Sequence, residues 1–173
     1  RAAARPIVIS GSGVLWSRAA DEVHRFVETA GIPFYTTPQG RGVLPDDHAL
    51  SFPAARTMAL KGADLVLVLG TRLNYIWGYG EAPRFAADAK FVRVDIDPTE
   101  TAGTRNLALG IAADLRAVMQ QANARLQTQP VAHHFEAWRA ELHALDAGKR
   151  AAAEAKLSSD AVPIHPLRLC KEI

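Results

Sequence analysis

A run of five apolar residues, Leu65 to Leu69, constrains this chain more than any other stretch. It follows the polar Asp64, breaks at Gly70, and runs straight into Thr71, Arg72, Leu73 and Asn74. A membrane helix needs about 18 apolar residues, so the run is far too short to span a bilayer. A strand that is apolar at every position is buried on both faces, which in practice means a parallel sheet covered by helices. In open parallel sheets the loops leaving the carboxyl ends of the strands form the ligand crevice. Arg72 and Asn74 therefore stand where a cofactor or nucleotide would lie. The alternative is an Arg that only pairs with a surface carboxylate.

Strand and helix signals alternate around this run. Pro6 to Ser10 reads as a strand entering Gly11-Ser12-Gly13, and Ser17 is placed to cap a helix. Ala20, Val23, Phe26, Val27 and Ala30 keep helical spacing in that helix until Gly31. Ile32 to Thr36 reads as a second strand, and the Gly- and Pro-containing stretch from Thr37 to Gly42 as a loop. Ser51 and Pro53 open a short helix through Ala59. Lys90 to Val94 and Leu107 to Ile111 read as further strands. Asp114 then caps a helix whose inward face is Leu115, Val118, Met119, Ala122 and Leu126. Crossovers of this length predict an α/β, doubly wound parallel sheet.

This unit is expected to occupy residues 1–130. From 131 to 157 the pattern is a helical connector: Phe135, Trp138, Leu142 and Leu145 mark an amphipathic helix ending near Gly148. An Ala-, Lys- and Glu-rich stretch to Leu157 can continue it. Residues 158–173 read as a linker and the start of another domain, with Pro166 at the first position of a helix.

Of the 173 residues, 49% are hydrophobic and 22% charged, as in ordinary globular proteins. A net charge of +2 gives no case for nucleic acid or a membrane surface. The single Cys170 cannot form an internal disulfide and fits a reducing cytoplasm. The chain opens at Arg1 rather than Met and is read as a piece of a longer polypeptide.

Several candidate residues carry two readings each. Gly11-Ser12-Gly13 lies between a strand and a helix, where backbone amides favour an anion, or it is only a tight turn. Trp16 stands where G-x-G-x-x-G needs its third glycine, which argues against a dinucleotide packed in the usual way. Asp95 at a strand end accepts from ribose hydroxyls or caps the turn at Asp97-Pro98. Asp114 lies at a strand end too, or is only a helix cap. The six histidines show no pair with metal spacing, and His133-His134, adjacent on a helix, point different ways.

Four segments together resemble the central domain of thiamine diphosphate-dependent enzymes. They are Arg5 to Gly13, Gly40 to His48, Gly70 to Asn74, and Val94 to Pro98. They follow the family's order and spacing over residues 5 to 128. That superfamily includes acetolactate synthase, oxalyl-CoA decarboxylase and 2-hydroxyacyl-CoA lyase. The resemblance implies a three-layer Rossmann-like sheet of about six strands with a helical C-terminal extension, as the middle of three domains. It implies an adenine nucleotide moiety in this domain, contacted by Gly11, Ser12 and Gly13, by Thr36 and Thr37, and by Thr71, Arg72, Leu73 and Asn74. Asp95 and Ile96 would hold ribose and adenine, with Asp114 and Leu115 on the adenine side. Ala113 replaces the family's usual glycine.

Arg72-Leu73-Asn74-Tyr75 and Ala82-Pro83-Arg84-Phe85 resemble the CoA-thioester branch, so ADP or the adenine moiety of CoA is expected here ahead of FAD. Thiamine diphosphate and Mg2+ are implied for the full-length enzyme, bound outside these residues, with no catalytic or metal-ligating residue in this chain. The implied partners are a small-molecule substrate, the other domains of the same polypeptide and a homodimeric or homotetrameric assembly. An acetolactate synthase-like enzyme with FAD and a non-catalytic nucleotide-binding module stand as alternatives.

Overall fold

The computed structural model describes residues 3–104 and 106–173, apart from the side chains of Ala132 and His133. The first two residues of the expected 1–130 segment, and the ring of His133, therefore lie outside the described residues. Five strands form one sheet: β1 (Pro6–Ser10), β2 (Phe34–Thr36), β3 (Leu65–Leu69), β4 (Lys90–Asp95) and β5 (Leu107–Ala112). The order is β2-β1-β3-β4-β5, and every neighbouring pair is parallel. The helices are α1 (Gly13–Trp16), α2 (Ala20–Ala30), α3 (Arg56–Gly62), α4 (Pro98–Ala102), α5 (Leu115–Thr128), α6 (Glu136–Leu157) and α7 (Pro166–Glu172).

The pleat of β1 and β3 sorts their side chains into two cores, because successive residues of a strand point to opposite faces. Ile7, Ile9, Val66 and Val68 pack with Ala59 and Leu60 of α3 and with Trp138 and Leu142 of α6. Val8, Leu67 and Leu69 pack with Val23 and Val27 of α2 and with Leu115 and Met119 of α5. Helix, sheet and helix thus make three layers, and each fully buried aliphatic side chain contributes about 1.5–3 kcal/mol. The α/β parallel fold expected from the residues is the one observed. Its sheet has the five strands legible in the sequence, where the resemblance implied about six. An isolated parallel bridge from Ser51 to Phe34 extends the β2 edge, but Pro53 two residues on lacks the N–H to continue a ladder.

Several local expectations need correction. Ser17 does not cap α2: its hydroxyl donates 2.7 Å to the Gly13 carbonyl, and Ala19 stands at the α2 N-cap without a side-chain bond. β2 begins at Phe34 rather than Ile32. Pro33 precedes it and cannot donate to the ladder, although its carbonyl accepts from Val8 at 2.9 Å. The turn at Asp97-Pro98 is the start of α4, whose N-cap Asp97 accepts from the Thr99 amide at 2.8 Å. Helix α6 runs through Gly148 without a break, and the space around that glycine is open. The pair His133-His134 falls in a 3-10 turn, Ala132–Phe135, and not in an α-helix.

Candidate functional site

The crevice is shaped first by close backbone approach. The Gly13 amide donates to the Gly70 carbonyl at 3.0 Å, and Gly11 donates to Leu69 at 2.9 Å. A Cβ on Gly13 would stand 2.6 Å from the Gly70 Cα, and one on Gly70 would stand 2.7 Å from the Gly13 Cα. Gly70 also has φ +59°, a conformation other residues seldom adopt. The glycine pair therefore has a complete structural explanation, namely two loops that touch through their backbones. The tight turn, one of the two readings of Gly11-Ser12-Gly13, is present.

Around that clamp the strand-end loops enclose a crevice of about 850 Å3. Ser12, Gly13, Thr37, Thr71, Arg72, Asn74, Asp95, Ile96, Asp114 and Leu115 line it. Three residues expected beside them do not. Gly11 is pressed against Thr71, and Leu73 is buried in the first core against Gly80. Thr36, at the edge strand, lines a different cavity. Sequence reasoning named Trp16 only as an obstacle. It is 86% exposed at this crevice, and it is joined there by the exposed Ile76 and Ile96. Gln39 and Trp77 also line it and carried no sequence signal.

The polar side chains are partly committed already. Asp95 accepts from the Asp97 amide at 3.1 Å through Oδ1, so it does brace the turn. Asp114 caps α5, accepting from Ala117 at 3.0 Å, and Asn74 accepts from Ile76 at 3.0 Å. Asp97 is held below the ordinary carboxylate range, first by the Thr99 hydroxyl and then by the Thr99 amide. Arg72 pairs with Glu100, Nε to Oε1 3.2 Å, while its side chain stays 72% exposed. A surface carboxylate partner was one of the two readings of this Arg, and it exists. The pairing leaves the guanidinium accessible.

Arg93 was missed. It lies in β4 with its side chain buried, donating 2.7 Å to Thr104 Oγ1 and 3.3 Å to the Thr71 carbonyl. Its other contact, 3.4 Å, is the second oxygen of Glu100. The signal was available: a cation set between Val92 and Val94 in a central strand must find buried partners.

Away from the crevice, His24, Glu28 and His48 bring three ligand-type atoms within 4.8 Å of one another. Spacing along the chain hid this, because His48 reaches α2 only through the fold. The Leu50 amide donates to His48 Nδ1 at 3.1 Å, which puts the ring proton on Nε2. Nε2 in turn faces Glu28 at 3.3 Å and helps hold that carboxyl below its ordinary value. As it stands the trio is a hydrogen-bonded surface cluster, with His24 and His48 both facing the Glu28 carboxylate.

Three comparisons bear on this geometry. A family profile described as "Thiamine pyrophosphate enzyme, central domain" matches residues 1–122. A 2-hydroxyacyl-CoA lyase of Oryza sativa subsp. japonica is 37% identical over 176 residues, covering 99% of this chain and 30% of the relative. An oxalyl-CoA decarboxylase of Escherichia coli K12 is 35% identical over 167 residues, covering 94% of this chain and 28% of the relative. The chain thus spans about 30% of the length of these curated relatives. A solved Mycobacterium smegmatis structure, described as that of a thiamin diphosphate-dependent enzyme, superposes with a TM-score of 0.57. It is 22% identical and covers 71% of this chain and 25% of its own, which bears on the fold alone. Among the described residues, no helix is long and apolar enough to cross a membrane.

Proposed function

Because the chain belongs to the family of thiamine pyrophosphate enzyme central domains, we propose that it is the middle part of a thiamine diphosphate- and Mg2+-dependent carbon–carbon lyase or decarboxylase. The substrate class is a 2-hydroxyacyl-CoA or oxalyl-CoA thioester, in keeping with the names of the relatives. In this reading thiamine diphosphate, held outside this chain, supplies the electron sink for C–C cleavage. This chain supplies scaffold and a seat for an adenine nucleotide moiety, ADP or that of CoA. The full protein would work as a homodimer or homotetramer in the cytoplasm, a setting compatible with the exposed free thiol of Cys170.

The observation that carries the nucleotide reading is that Asp95 and Arg72 line one crevice. It lies where the strand order reverses between β1 and β3. The donor set fits such a group. Asp95 has one oxygen engaged by Asp97 and a second for ribose hydroxyls, and exposed Arg72 offers a planar fork to phosphate oxygens. Ile96, 75% exposed beside Asp95, gives a base an apolar surface to cover. Segments 158–173 and 131–157 serve as entry to the next domain and as connector in this account.

The activity is tested on the full-length protein with a 2-hydroxyacyl-CoA, oxalyl-CoA and pyruvate, with and without thiamine diphosphate and Mg2+. Thiamine-dependent cleavage of either CoA thioester is the expected result. Turnover of pyruvate alone with a bound flavin would move the protein to the acetolactate synthase type. No thiamine dependence with any of the three would end the proposal.

A further inference from the structure

A second cavity, of about 670 Å3, opens between the end of β2, the turn leading into α3, and the middle of α6. Tyr35, Arg56 and Arg150 line it, with Arg41, Asp46 and Asp47 also among its walls. Two of its polar groups stand there without a hydrogen-bond or ion-pair partner among the described residues, Tyr35 buried and Arg56 half-buried. Tyr35 is 4% exposed, and its hydroxyl has no hydrogen-bond partner. A buried hydroxyl without a partner is costly, and such groups in native proteins point to something that completes them. The nearby carboxylate of Asp146 does not serve. Its Oδ1 accepts from the Ala54 amide at 2.7 Å and its Oδ2 from Arg150 Nε at 2.5 Å.

Arg56 is the second group. Its guanidinium lies over the Trp77 ring at 4.7 Å, and among the described residues it forms no ion pair. Burial first, and then the like charge of Arg84, disfavours its charged form. A guanidinium does not discharge in response; it calls for an anion. The other cations at the cavity have theirs, Arg41 with Asp46 and Arg150 with Asp146. With its guanidinium over the indole and no ion pair, Arg56 has planar-fork donors to offer an oxyanion. Burial and the charge of Asp146 hold the Tyr35 phenol protonated, so it is a donor.

We propose that this cavity is an oxyanion-binding subsite, in which the Arg56 fork and the Tyr35 hydroxyl together bind a phosphoryl or carboxylate group of a small molecule. The site is separate from the nucleotide crevice and does not rest on that reading, although Pro38 forms part of both walls. Asp46 and Asp47 also line the cavity: Asp46 is paired with Arg41, and exposed Asp47 is the remaining acidic group that an entering anion must oppose.

The test is a nuclear magnetic resonance titration of the full-length protein, following the Arg56 Nε–H and Trp77 indole signals. The probes are inorganic phosphate and acetate, each against chloride at constant ionic strength. Saturable shifts at Arg56 and Trp77 are expected, the Trp77 shift abolished in Arg56→Gln and the affinity read at Arg56 weakened about tenfold in Tyr35→Phe, the effect of losing one hydrogen bond to a charged group. Arg72→Gln is expected to leave the Arg56 titration unchanged, which separates this site from the first crevice. Saturation by phosphate alone identifies a phosphoryl-bearing ligand, and equal saturation by acetate a carboxylate-bearing one; both support the subsite. No saturable shift at Arg56 with either anion, or an unchanged affinity in Tyr35→Phe, overturns it. Shifts confined to residues around Arg72 would also overturn it while leaving the nucleotide reading intact.

Discussion

Buried Arg93 and exposed Arg72 share one carboxylate. Glu100 lies 3.2 Å from the Nε of Arg72 through one oxygen and 3.4 Å from Arg93 through the other. The two arginines have unequal stakes in it. Arg93 is 4% exposed and has a buried Nε with no partner, so its charge depends on Glu100, Thr104 and the Thr71 carbonyl. Arg72 is solvated and loses little without Glu100. In denaturant unfolding, Arg93→Ala and Glu100→Ala are each expected to cost about 1–3 kcal/mol, and Arg72→Ala less than about 0.5 kcal/mol. Equal losses for Arg72 and Arg93 would contradict this division.

The loop clamp gives a prediction about glycines. Gly13→Ala places a Cβ 2.6 Å from the Gly70 Cα, which is backbone and cannot swing away. Overpacking of this kind is expected to cost about 1–3 kcal/mol. Gly148→Ala, in open space inside α6, is expected to stabilise by about 0.5–1 kcal/mol, because alanine restricts the unfolded chain and favours the helix. Thermal unfolding of both variants checks the pair, and a neutral Gly13→Ala would remove the clamp from the account.

How far the sequence could be read follows from which features are local. The five apolar residues of β3, the Asp114 cap and the inward face of α5 depend on neighbours in the chain, and all three stand as expected. The strand ends also located the crevice. Contacts between distant segments were not readable: Gly13 against Gly70, and His48 with His24 and Glu28. Of the two readings at Gly148, an end or a continuation to Leu157, the helix continues, because its interior tolerates a glycine at about 1 kcal/mol when the flanks favour the helix, as Ala147, Lys149 and Arg150 do. Ser17 misled because a serine beside a helix start can as well bond backward, here to Gly13.

The two helices over the second core are tied by Glu22. Its carboxylate accepts from Arg116 Nε at 2.8 Å and from Gln120 at 3.3 Å, and the Arg116 bond chiefly holds its pKa below the ordinary 4.5. A carboxyl whose folded pKa is depressed stabilises the fold above its unfolded value, and that contribution is lost as pH falls through the folded pKa. The stability gap between the wild-type chain and Glu22→Gln is therefore expected to be full at pH 7 and to shrink below about pH 4.5. Urea midpoints at about pH 7, 5 and 3 measure it. A gap that widens in acid would have the sign wrong.

Helix α6 belongs to the fold through Trp138. Its indole Nε1 donates 3.2 Å to the Pro6 carbonyl, Arg5 stacks over the ring at 5.2 Å, and the side chain is 3% exposed. Trp138→Ala is expected to cost about 3–5 kcal/mol, as for other buried aromatic truncations. A loss below about 1 kcal/mol, the usual limit of surface effects, would mean that α6 is not held by the sheet.

An adenine nucleotide is expected to sit in the strand-end crevice. Calorimetric titration of the full-length protein with ADP, CoA and FAD, repeated in Asp95→Ala and Arg72→Ala, tests it most directly. ADP or CoA is expected to bind and FAD is not. Each substitution is expected to weaken binding by about 1–3 kcal/mol, the range for a hydrogen bond to a charged group. Arg72→Ala should do so while leaving stability almost unchanged. Unchanged ADP and CoA affinity in both variants, or a stoichiometric bound flavin, would contradict it.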